Sequence, residues 1–193
     1  MSAGAGAPVP AKVPDRMDAG TRALVLALPL AFLAHDVAEV RGNDALNRDL
    51  AELAARVPGL RRLPLDRVVA ASTTTRRQLG VAVGLLASAL AVVSVRAAVR
   101  PPRTGATGDF AVAAGVVGGH LAGHVAQSVL LRRPSPGLVP GLLVTVPYSV
   151  AVLARLRRRG YLPEGSLVRG GAGLAATVPG ILLGVRVLSR RLG

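Results

Sequence analysis

In the stretch LAHDVAEV, residues 33–40, His35, Asp36 and Glu39 stand close together at the end of an apolar run. In GHLAGHVAQS, residues 119–128, His120, His124 and Gln127 follow one another at steps of four and three. An α-helix turns about 100° per residue, so His35 and Glu39 lie roughly 40° apart on one face with Asp36 flanking them, and His120, His124 and Gln127 form a stripe of their own. Imidazoles and carboxylates on facing helices are the donors a divalent transition metal takes, zinc or iron by preference. His35, His120 and His124 would serve as ligands, with Glu39 or Asp36 as a fourth ligand or as general base to a bound water. Two other uses fit the same residues. Carboxylate–imidazole pairs can satisfy one another as a structural hydrogen-bond network, and a chain of titratable groups can relay protons or a solute.

The elements that must position these residues are apolar. Of 193 residues, 51% are hydrophobic, only 2% are aromatic, and the formal net charge is +14. Such basicity raises nucleic acid as a partner, but the arginines stand at the edges of apolar runs and stacking aromatics are scarce, which argues against it. Cysteine is absent, so there is neither a disulfide framework nor a thiolate metal site. Several apolar runs approach the ~20 residues that cross a bilayer. The expected fold is all-α: a multi-pass transmembrane bundle of about five spans, near 22–41, 79–99, 110–131, 137–154 and 167–188. Its expected setting is the bacterial plasma membrane, with the lipid bilayer as partner and a small or lipid-like substrate. Arginine is balanced across the two sides, so the sequence does not fix the orientation.

Residues 1–20 are small, Pro-containing and without pattern, which predicts a disordered tail before a single membrane domain at 21–193. Between the first two spans, Leu46, Leu50, Leu53, Val57 and Leu60 recur at helical steps opposite Asn47, Arg48, Asp49, Glu52 and Arg56. That pattern predicts an amphipathic helix over 44–57, lying in the interface or docked on the bundle. The run STTTRRQL at 72–79 offers hydroxyl caps and arginine anchors to the second span.

A carboxylate or imidazole facing hydrocarbon costs several kcal/mol unless it is paired or wet. The first and third spans are therefore expected to face each other, with Gly115, Gly119 and Gly123 as a ridge that allows close approach. Tyr148, with Thr145 and Pro147, either lines the same cavity or belongs to a Pro-kinked packing segment. Gln127 and Tyr148 are the candidate contacts for a bound group. Arg186 is expected to snorkel to the interface and Glu164 to sit in a loop.

HDVAE at 35–39, RRQLGVAV at 76–83 and GHLAGHVAQSVLLRRPSPGLVPGLLVTVPYSV at 119–150 together resemble the HXXEE-domain family of bacterial integral membrane proteins. The resemblance covers about residues 23–160 and implies a multi-pass helical membrane protein, with no substrate named. Two positions depart from the pattern. Ala38 stands where the name motif has its first glutamate, leaving Glu39 alone, and Pro134 precedes Ser135 where an aromatic is expected.

Overall fold

The computed structural model describes residues 15–56, 74–166 and 168. Among these, all regular structure is helical: α1 (Ala19–Leu26), α2 (Leu28–Arg56), α3 (Arg76–Val99), α4 (Gly105–Gly119), α5 (Leu121–Leu131) and α6 (Leu138–Arg158). Three stretches are long and apolar enough to cross a membrane, Ala19–Glu52, Arg76–Val99 and Leu138–Arg158. The expected fifth span, apart from Val168, and residues 1–14 of the expected tail lie outside the described residues.

Proline and glycine account for the irregularities. Pro29 has no N–H to give the Val25 carbonyl four residues back. The helix accordingly steps at Ala27, whose own N–H turns to the carbonyls of Ala23 and Leu24, and then continues. The expected third span is not one helix. It divides at His120 into segments of 15 and 11 residues, each shorter than the ~20 of a full span, where Gly118, Gly119 and Gly123 weaken helix propensity. In α6 the turn Gly141–Thr145 widens to π geometry just before Pro147, whose ring would crowd a normal turn.

The amphipathic segment is not a separate element either. α2 runs unbroken for 29 residues through it to Arg56, because no proline interrupts the chain between Pro29 and Pro58. Thr75 caps α3 with a reciprocal box in which its hydroxyl accepts from the Gln78 N–H and the Gln78 side chain accepts from the Thr75 N–H.

α2 packs along α3, α3 along α4, and α4 along α6, while α1 touches both α3 and α6. The core is small and apolar, with Val25, Leu28, Phe110, Val152 and Leu156 fully enclosed and Phe32, Leu90 and Ala114 around them. The exterior is apolar too. Leu30, Leu85, Val99 and Leu143 are each more than 60% exposed, an arrangement compatible with apolar surroundings.

At one end of the bundle a polar clamp ties α1 to α6. Asp18 accepts from the Thr21 N–H and hydroxyl, while Arg155 donates to Asp18 at 2.8 Å and to the Thr21 hydroxyl at 2.7 Å. Buried Tyr161 closes the group against Asp18. The Thr21 hydroxyl, then Arg155, hold the Asp18 carboxyl well below the usual carboxylate range.

Candidate metal centre

The four donors lie away from this clamp, two of them in the first half of α2. His35 and Glu39 sit one turn apart on α2, and the Nε2 of His35 is 2.7 Å from the Oε1 of Glu39. His124, on α5, brings its Nε2 to 2.7 Å from the same oxygen and to 3.1 Å from the Nε2 of His35. His120, at the joint between α4 and α5, completes the group with its Nε2 at 3.2 Å from Oε1. The three rings meet edge to face, with centroids 4.8–5.6 Å apart. One ligand atom from each of the four residues lies within 4.8 Å of all the others. Around one zinc with bonds of about 2.0–2.1 Å, donors stand about 3.3 Å apart in tetrahedral geometry, so the set fits a single ion once the 2.7 Å contacts lengthen and the widest separations close.

The site is closed on one side and open on the other. His35 and His124 are 3% and 4% exposed, whereas the His120 side chain is 49% exposed. His120 is therefore the member of the group that faces outward. The expected apposition of the first and third spans holds at His35, Glu39, His120 and His124, but Gly115 and Gly123 of the expected ridge do not line it. A Cβ on Gly115 or Gly123 would meet nothing within 4 Å, while on Gly118 it would stand 2.8 Å from the Ser149 Cβ. Gly118 thus lets α6 approach α4 closely.

Side chains beyond the donors hold them in place. The segment Arg132–Gly137, between α5 and α6, folds over the group. Arg133 pairs with Asp49, Pro136 seats on Gly42, and Gly137 lies against the His124 ring so closely that a Cβ there would overlap the imidazole. The Ser135 hydroxyl is 3.1 Å from the Nδ1 of His124. From α6, Gly141 leaves room for the His35 ring, since a Cβ would stand 3.3 Å from its Cε1. Arg76 donates to the carbonyls of Val40 and Arg41, and Asn43 and Asn47 both donate to the Thr74 carbonyl, fixing the start of α3 to α2 just past Glu39.

The remaining sequence candidates fall in different places. Asp36 is buried, with its Oδ2 unpartnered among the described residues, but it is not one of the four clustered donors. Gln127 likewise buries an unpartnered Oε1, one turn beyond His124. Tyr148 does not line the cavity. Its hydroxyl donates at 2.6 Å to the Leu24 carbonyl, eleven residues before His35 on the α1–α2 rod, so it follows the packing alternative. Arg186 lies outside the described residues, and Glu164 sits in the short turn after α6.

Ser135, Gly137, Gly141 and Gly42 were not among the sequence candidates. The signal for the first two lay within RRPSPG, where a serine and a glycine flank a proline immediately after the histidine stripe.

A protein family described as "Protein of unknown function with HXXEE motif" matches residues 26–152, a stretch that holds all four donors and the covering segment. No curated protein matches the chain, and no solved structure does.

Proposed function

The chain belongs to the HXXEE family, and on that premise we propose that it is a membrane-embedded, metal-dependent enzyme of hydrolase-like chemistry. The observation that carries this reading is the convergence of three imidazoles and one carboxylate, from α2, α5 and the joint between α4 and α5, with one ligand atom of each within 4.8 Å of the others. Ionisable groups at such a depth mark function by default. Zinc or iron suits a set of nitrogen and oxygen donors without thiolate. The apolar exterior and the three spanning-length helices support a bilayer as the surroundings, here assigned to the bacterial plasma membrane.

When bound, a divalent metal supplies a Lewis acid for a carbonyl or phosphoryl oxygen and a water acidic enough to ionise near neutral pH. The chain does the rest. His35 and His124 hold the closed side, and His120 forms the open side at which a small or lipid-like substrate arrives. Glu39 serves as fourth ligand or takes a proton as general base. Asp36 adds a second buried carboxylate beside this machinery, placed to tune its charge. The Ala38 position lacks the family motif's first glutamate, so Glu39 carries the carboxylate role among the motif residues.

A second reading has support in the 2.7 Å contacts of Glu39 with His35 and His124, because such pairs also satisfy one another without any ion. Elemental analysis separates the two. The purified, detergent-solubilised protein is expected to hold about one zinc or iron per chain, and His124→Ala to hold none. Absence of metal from the wild-type protein after reconstitution with excess ion refutes the enzyme reading and leaves the hydrogen-bonded network.

A further inference from the structure

The hydroxyl of Ser135 has two acceptors at nearly equal distance. It stands 3.1 Å from the Nδ1 of His124 and 3.2 Å from the backbone carbonyl oxygen of the same residue. A serine hydroxyl carries one proton and can accept with its lone pairs, so the pair has two settings. With the hydroxyl proton aimed at Nδ1, that nitrogen is bare, and the ring's proton sits on Nε2 and points at Glu39 Oε1, 2.7 Å away. With the hydroxyl proton aimed at the carbonyl, Ser135 accepts from Nδ1–H. Nε2 then presents its lone pair to the centre of the cluster, which is the form a metal ligand must take.

The surroundings fix the oxygen atom of Ser135 and leave its proton free to turn. The Ser135 N–H donates to the Ser128 hydroxyl at 2.9 Å, and the Ser128 hydroxyl donates to the His124 carbonyl at 2.6 Å. That carbonyl, which also serves the helix ladder of α5, lies 3.2 Å from the Ser135 hydroxyl. Gly137 gives the imidazole a wall, and Pro136 and Arg133 pin the segment to α2 at Gly42 and Asp49. Ser135 and His124 are both buried, so the two ring nitrogens answer to protein groups.

Resting on the metal reading above, we infer that Ser135 is the tautomer switch of the site, a positioning residue whose hydroxyl turns from His124 Nδ1 to the His124 carbonyl when a divalent metal takes Nε2. In this step the Nε2 proton leaves to solvent by way of Glu39 Oε1 and Nδ1 takes one proton from solvent, Ser135 keeping its own, so the ring stays neutral and no net proton is released at His124. A metal held at Nε2 would make good the bond lost to Glu39, and the hydroxyl exchanges one acceptor for another. Both ring nitrogens would have a partner in either state, so the site can exist empty and still receive an ion.

The test is nitrogen NMR on protein labelled in its histidines, in detergent micelles, with and without zinc, alongside zinc titrations of Ser135→Ala and Ser135→Thr. Expected are an Nε2–H tautomer of His124 without zinc and an Nδ1–H tautomer with it. Ser135→Ala should weaken zinc binding about 10–100-fold, the range for losing the group that orients a ligating histidine, and Ser135→Thr, which keeps a hydroxyl, should restore most of it. If wild-type protein binds zinc but His124 shows the same tautomer in both states, or if Ser135→Ala binds zinc as tightly as wild type, the switch is refuted while the metal reading stands. If wild-type protein binds no zinc, both fail. Should Ser135→Ala not fold, the wild-type tautomer comparison decides alone.

Discussion

Replacing Gly137 with alanine probes the packing of the site directly. Gly137 has φ −85° and ψ −9°, a conformation open to any residue, so the backbone does not demand glycine there. The demand comes from His124, whose imidazole occupies the space a Cβ would fill. The ring cannot retreat freely, because Ser135 holds its Nδ1 side and Glu39 and His35 hold its Nε2 side. Overpacking of this kind costs about 1–3 kcal/mol. A smaller loss comes from the first turn of α6, which Gly137 caps and where alanine is a poorer cap. A double-mutant cycle separates the two, since the capping loss is common to both backgrounds while the steric loss needs the imidazole. Measured by equilibrium unfolding in micelles, Gly137→Ala should cost at least ~1 kcal/mol more in the wild-type background than in His124→Ala. Equal losses in both backgrounds would refute the placement of the ring against Gly137.

Two further outcomes follow from the opposite end of the bundle and from the rod that joins it to the site. The native pKa of Asp18 is depressed, so its contribution to stability is full above the unfolded value of about 3.9 and is lost as pH falls through the lower native one. Asp18→Asn should therefore lower Tm at pH 7 and match wild type in strong acid, and a gap that persists unchanged there would contradict the clamp. Tyr148→Phe should cost about 1 kcal/mol, the worth of one hydrogen bond, and leave metal content at the wild-type level. A variant that loses its metal would put Tyr148 back at the site.

What the sequence revealed and what it concealed divide along the range of the interactions. His35 with Glu39, and His120 with His124, were legible because the helical repeat alone stacks residues four apart. Their meeting across two helices was legible because neither pair tolerates hydrocarbon. The three residues that finish the site, Ser135, Gly137 and Gly141, depend on how a loop and a neighbouring helix return to it, and no local period encodes that. The glycine ridge was misplaced for a related reason. Four-residue spacing marks Gly115, Gly119 and Gly123 and passes over Gly118, which only the position of Ser149 on α6 selects. The division of the third span at His120 follows from a balance between apolar length and glycine content, which composition leaves open. The amphipathic stretch was recognised as helical, but its continuity with the first span depended on the absence of a breaker rather than on a positive signal.

That continuity governs how the chain can change in length. α2 carries His35, Glu39, Gly42, Asn43 and Asp49 on one uninterrupted rod, and each meets a group on another element: His124, His120, Pro136, Thr74 and Arg133 respectively. One residue inserted between Glu39 and Gly42 would rotate everything beyond it by about 100° and advance it by about 1.5 Å, parting the last three contacts at once while leaving the donors in place. A substitution along this rod is felt at one contact, whereas an insertion or deletion is felt at every contact downstream. The spacing between these residues is therefore as much a part of the site as their identities, and changes in length are accommodated in the connections between helices instead.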